Sequence, residues 1–344
     1  LPLVFWLVAA GMYGLAIGSF LNVVIWRLPR GGSIAEPTWS YCPRCEHRLG
    51  AWDLFPVLSF LLLGAKCRYC KKPISWRYPG VELLTGLLFL VVTYYTWQGG
   101  GLWYDAVFFC LFAAILVCVF FIDIEHFVIP DELSALALLL GLVHALVGGW
   151  FGNSVAGLFG YAAVVYLIGL LSYVFLVSIL DKRLRIGRAA WDYLRDNAED
   201  WAYLFCYFLG ALLPPLRRWA EKRWGEKPVL EGFTSEEIES DEDAGGMGGG
   251  DGKLAAAIGA NLGLSLALGS LGFAVFLGAF AGLVVMARQR RRLGDRVPIP
   301  FGPAMALGAL LALFYGHTLA AWYVGSFWAA PHAPGAAPAG LFGL

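Results

Sequence analysis

The sequence predicts an all-α polytopic membrane protein of about eight transmembrane helices, with a small cytoplasmic metal-binding domain inserted after the first. Three observations carry that expectation. The chain is 59% hydrophobic and 15% charged, with a mean hydropathy of +0.67, which lies outside the range of ordinary soluble domains. Apolar segments recur at 3–26, 80–98, 102–122, 133–150, 154–180, 254–268, 270–287 and 302–325, and most approach the ~20 residues that cross ~30 Å of hydrocarbon. The 25 Lys and Arg fall entirely within 27–79, 181–253 and 288–296, which eight crossings starting outside would place on one side. By the positive-inside rule that side is the cytoplasm, and the opposite edge carries Trp97, Trp103, Tyr104, Trp150, Trp322, Tyr323 and Trp328 as an aromatic belt.

The first segment, 1–28, is expected to be a retained helix, because no basic region precedes it and no small-residue cleavage site follows. Since the chain opens at Leu1 without a methionine, trimming of the natural N-terminus is expected. Residues 29–79 form the cytoplasmic domain and hold CPRC and CRYC. Cys42 and Cys45 pair at CxxC spacing, as do Cys67 and Cys70, with 21 residues between the pairs. That spacing resembles four-cysteine zinc sites, in which four thiolates satisfy Zn²⁺ and leave no open position, so the metal is expected to be structural. The alternative is a vacant or redox-active cysteine cluster; a disulfide fits poorly with a reducing cytoplasm. Cys110, Cys118 and Cys206 read as small core residues.

Residues 80–180 are read as helices two to five. Residues 181–246 are a long cytoplasmic insertion, in which WAYLFCYFLGALLPPL (201–216) is short and broken by Pro214-Pro215, suggesting an interfacial or re-entrant helix. After it, Glu231, Glu236, Glu237, Glu239, Asp241, Glu242 and Asp243 with no intervening basic residue read as a solvated linker that could attract basic substrates. Helices six to eight occupy 247–325, and 326–344 is an outer tail.

Acids at membrane depth are costly and therefore informative. Asp105 reads as a boundary residue, Glu82 as a first-turn acid favoured by the helix dipole, and Asp131, after Pro130, as an N-cap. Asp123 is different: a solvated boundary acid is its plain alternative, but it directly follows the apolar run AAILVCVFFI, where a carboxylate opposes the negative end of the dipole and caps poorly. Asp251 could be an N-cap for KLAAAIGA, yet it sits among glycines that a cap does not require. That stretch is not a phosphate-binding P-loop, because Met247 and Leu254 stand where Gly and Ser or Thr are needed. Two carboxylates at one depth can share a proton, one activating water while the other polarises a peptide carbonyl and protonates the leaving amine. Glycines beside them would admit an extended substrate backbone.

Taken in order, GSFLNVVIWRLP (18–29), the four cysteines, ISWRYPGVELLTG (74–86), FIDIEHFVIPDELS (121–134), MGGGDGKLAAAIGANLG (247–263) and IPFGPAMALGALLAL (299–313) closely resemble the type IV prepilin peptidases, of the GxGD class of membrane aspartic proteases. The resemblance implies a bacterial inner-membrane enzyme that cuts the basic leader of prepilins or pseudopilins after glycine, on the cytoplasmic side. It also implies methylation of the new N-terminus from S-adenosylmethionine, whose binding residues the sequence does not identify. Carried over by position, Asp123 and Asp251 are the catalytic pair, Gly248, Gly250 and Lys253 belong to the substrate loop, and Cys42, Cys45, Cys67 and Cys70 bind zinc. Gly249 and Gly252 stand where the family commonly has bulkier residues, so this loop is expected to be mobile until substrate orders it. Nucleic acid is not an expected partner. The competing readings are a peptidase without methyltransferase activity, a proton-coupled transporter and a zinc-bearing membrane scaffold without chemistry, the last leaving Asp123 unexplained.

Overall fold

A computed structural model describes residues 2–180, 249–289 and 300–327, with a few isolated positions between 191 and 222. The proposed interfacial helix 201–216, the acidic run and Gly248 lie outside the described residues. Among the described residues the chain is helical, its β content limited to isolated bridges. The elements are α1 (Leu3–Arg27), α2 (Leu58–Leu62), α3 (Arg77–Gln98), α4 (Trp103–His126), α5 (Asp131–Gly148), α6 (Phe151–Leu180), α7 (Gly249–Gln289) and α8 (Gly302–Phe327). Six of them are long and apolar enough to cross a membrane, and a further apolar stretch runs from Gly302 to Gly316. The chain is a multi-pass membrane protein with polar groups inside and large apolar side chains outside. Asn22, Glu82, Asp123, Lys253 and Asn261 are buried, whereas Leu83, Leu87, Leu146, Phe276 and Phe280 are exposed.

The two spans expected over 254–287 fall within the single helix α7, one candidate crossing, which breaks at Gly263 and not near residue 269. Gly263 adopts φ 71° and ψ 174°, which glycine alone tolerates cheaply. Asn153 Oδ1 accepts the Leu264 N–H released by the break (3.2 Å). The segment before the break is short for a full crossing at 1.5 Å per residue.

The chain divides into two compact units, one of Leu1–Phe121 with Leu310–Leu344, the other of Ile122–Ala309. In the first, α1 packs on α3 through small residues. A Cβ on Gly14 would lie 2.8 Å from the Gly86 Cα, and one on Gly18 would lie 2.7 Å from the Glu82 Cα. Close backbone approach at glycines is how apolar helices associate where no hydrophobic effect drives them together. At the end of α1, Arg27 is buried and donates to the carbonyls of Ser33, Ile34, Pro37 and Trp39, tying the following loop to the helix.

Glu82 departs from the expectation. Helix α3 begins at Arg77, so Glu82 is past its first turn. Its carboxylate is buried and accepts the Val57 N–H (2.7 Å), an arrangement set by packing and not by the dipole. Asp105 accepts the Leu102 N–H (2.7 Å) at the start of α4.

In the second unit α7 packs on α5 and α6. Gly259 and Gly157 face one another too closely for any side chain at either position. Buried Asn261 donates to the Ala137 carbonyl (2.7 Å) and Ser154 to the Ala260 carbonyl (2.7 Å), so hydrogen bonds join the helices where hydrocarbon surrounds them.

Candidate active site

The second unit contains both Asp123 and Asp251. Asp123 occupies the last turn of α4 and is 4% exposed. Its Oδ2 accepts the N–H of Gly302, the first residue of α8 (2.9 Å). Glycine leaves this carboxylate in place: a Cβ on residue 302 would lie 2.5 Å from that same oxygen and displace it. The Asp123 carbonyl accepts the N–H of Phe127 (2.9 Å), whose φ of 55° reverses the chain and brings Ile129 back over the site.

Asp251 lies in the first turn of α7 and is half-buried. A carboxylate is favoured there by the exposed N–H groups and dipole of the helix start. Ile129 relates the two carboxylates: its side chain fills the space beside Gly302, next to Asp123, and beside Gly250, next to Asp251.

From Gly249 onward the motif is helix, and its glycines are packed. A Cβ on Gly250 would meet Ile129 at 3.3 Å, and one on buried Gly252 would collide with the Tyr166 ring. The expected mobile loop at Gly249 and Gly252 is therefore replaced by helix, because absent side chains here allow close packing.

Lys253 is also engaged. Its side chain is 5% exposed and its Nζ donates to both carboxylate oxygens of Asp131, at 2.8 and 2.9 Å. Asp131 does not cap α5; Pro130 holds the N-cap position and no side chain bonds there. The nearby lysine takes the carboxylate that the expected cap would have used, and the half-exposed Asp131 neutralises a buried ammonium. Neither this pair nor the Gly302 contact is visible in the sequence as a local pattern. IPFGPAMALGALLAL supplied Gly302 as part of a motif without a role.

In the first unit the four cysteines converge. The Sγ atoms of Cys42, Cys45, Cys67 and Cys70 all lie within 4.8 Å of one another, compared with ~3.8 Å between sulfurs around a tetrahedral zinc whose Zn–S bonds are ~2.3 Å. The two halves are built alike. Cys42 N–H bonds His47 O and Glu46 N–H bonds Cys42 O; Cys67 N–H bonds Lys72 O and Lys71 N–H bonds Cys67 O. Glu46 (φ 56°) and Lys71 (φ 58°) make the same left-handed turn after each CxxC. Burial opposes ionisation of Cys67, but backbone donors from Cys70 and Tyr69 bring its thiol down to about 7. Four thiol donors so placed could hold a metal such as zinc.

Residues 12–96 match the bacterial peptidase A24 N-terminal domain, and residues 110–283 match the type IV leader peptidase family. The chain is 30% identical to the prepilin leader peptidase/N-methyltransferase of Aeromonas hydrophila, over 92% of this chain and 93% of that protein. The protein of the same name from Pseudomonas aeruginosa is 28% identical over 91% of each chain. That from Myxococcus xanthus is 45% identical over 38% of each. No solved structure matches the chain. With more than half its length matched, and with relatives aligned nearly end to end, the chain belongs to the type IV leader peptidase family.

Proposed function

We propose that this protein is a bacterial inner-membrane peptidase that removes the basic leader of type IV prepilins or pseudopilins after glycine, on the cytoplasmic side, and then N-methylates the new terminus. Asp123 and Asp251 form its aspartyl dyad. The observation that carries this is the burial of Asp123 against Gly302, where a larger residue would push the carboxylate out of its present position. Lys253 is committed to Asp131 and leaves Asp123 its backbone donor.

The dyad holds one proton. The ionised carboxylate takes a proton from water as the water oxygen attacks the scissile carbonyl carbon, and the protonated carboxyl gives its proton to the carbonyl oxygen. Collapse of the tetrahedral intermediate breaks the C–N bond, and the leaving amine takes a proton from the dyad. With Asp123 Oδ2 bonded to Gly302, Oδ1 is the oxygen assigned to the water or substrate. Gly250, Gly252 and Lys253 shape the site by packing and pairing, and Gly248 is assigned to the substrate side by motif.

The four cysteines hold structural zinc. S-adenosylmethionine, when bound, supplies an electrophilic methyl group that the exposed amine displaces from sulfonium sulfur. The acidic run 231–243 draws basic leaders to the site; its deletion should raise KM at low salt and not at high salt.

Incubating the purified protein with a prepilin and weighing the products tests the function. The expected product lacks the leader and gains a methyl group when S-adenosylmethionine is present. Asp123→Asn and Asp251→Asn should each leave the prepilin uncut; cleavage by either variant overturns the dyad.

A further inference from the structure

The first unit encloses a cavity of about 450 Å³ between the end of α1, the cysteine domain and the start of α3. That volume suits a nucleoside-sized ligand. Its wall includes Asn22, from GSFLNVVIWRLP, which is 4% exposed. The Asn22 Nδ2 donates to the carbonyls of Tyr78 (3.0 Å) and Gly18 (3.3 Å), and these two bonds fix the amide orientation. The Oδ1 is left without a hydrogen-bond partner. A buried acceptor in that state costs free energy until a donor arrives. Glu82 lies on the same wall, held by the Val57 N–H and the Ser19 hydroxyl.

A carbonyl oxygen lacking a donor and a buried carboxylate together select a ligand that brings N–H groups or positive charge. The rest of the lining is divided in a way that narrows the choice. Arg27 is committed to four backbone carbonyls and Arg68 to Asp53, whereas Arg44 and Lys72 supply further positive charge to the lining. Phe60 and Leu54 add apolar surface. With Trp26 and Tyr41 also on the wall, the combination fits an amino-acid-like cation with its own carboxylate, attached to a group that can lie against aromatic rings.

We infer that this cavity is the S-adenosylmethionine site, with Asn22 and Glu82 receiving the positively charged end of the ligand. The inference rests on the methyltransferase reading above and gives that activity a location. It also assigns Asn22 and Glu82, polar residues of two motifs that the peptidase chemistry does not use.

Two measurements on the full chain test it. Ultraviolet cross-linking of labelled S-adenosylmethionine to the wild-type protein, followed by peptide mapping, should place the label within 19–27 or 72–82; label confined to 122–309 overturns the location. Titration with S-adenosylhomocysteine should show at least tenfold weaker binding for Asn22→Leu and for Glu82→Gln, the latter keeping the shape of the side chain. Binding equal to wild type in both variants overturns the assignment and leaves the methyltransferase reading standing. If wild-type protein that cleaves prepilin binds neither compound, the methyltransferase reading itself fails, and the site fails with it.

Discussion

Asp123 and Glu82 make an instructive pair, because each is a buried carboxylate in an apolar helix and each accepts a backbone N–H. The similarity ends at the donor. Glu82 is held by Val57 and Ser19, beside a helix crossing where Gly18 lets two backbones touch. Asp123 is held by a glycine whose missing side chain leaves the carboxylate oxygen its space. Small residues in the first unit thus bring helices together, while in the second unit one of them clears room around a reactive group. Burial alone therefore does not fix purpose.

The largest effect expected in the second unit comes from its ion pair. Asp131→Asn strands the Lys253 ammonium, 5% exposed, and should cost about 3–5 kcal/mol of stability in an unfolding titration. Lys253→Met should cost less, since the Asp131 it leaves behind is 33% exposed. Equal losses would remove the distinction between a trapped charge and one that water reaches.

Gly302→Ala and Gly18→Ala separate the two roles of glycine. At Gly302 the obstructed atom is a carboxylate oxygen that can swing away, so cleavage should fall on the order of a hundredfold with little change in stability. At Gly18 the obstructed atom is the Glu82 Cα, which cannot, and the helices must separate at a cost of about 1–3 kcal/mol. Cleavage per folded molecule should survive at Gly18. Reversed outcomes would break the comparison.

A smaller effect concerns the cysteines. Zinc is held by thiolates, so protons compete with the metal for all four cysteines, and acid favours its loss. Zinc loss on dilution, followed by metal analysis, should therefore speed up as the pH is lowered. Cys42→Ser should lower zinc content at every pH.

Much of this was legible in the sequence because it is written locally. Apolar length marked the helices and CxxC spacing marked the cysteine cluster, whose members the fold gathers within 4.8 Å. What escaped depends on partners far apart in the chain. Lys253 and Asp131 lie 122 residues apart, and each has an ordinary local explanation, as loop residue and as cap. The Gly263 break could not be told from its neighbours Gly259 and Gly269, since the residue that caps it, Asn153, is on another helix. Glu82 was misplaced because α3 starts at Arg77, ahead of Pro79, which the first turn of a helix accommodates. Asp123 stood out without any partner in view, because a carboxylate at the end of an apolar helix opposes the dipole and caps poorly.

The central claim is that Asp123 and Asp251 act as one catalytic unit, and a double-mutant cycle on prepilin cleavage tests it most directly. Asp123→Asn, Asp251→Asn and the double variant should all fall to the same residual rate, since removing either half of a dyad removes its function. Independent losses that multiply in the double variant, or cleavage by either single variant above the rate of the double variant, would contradict it.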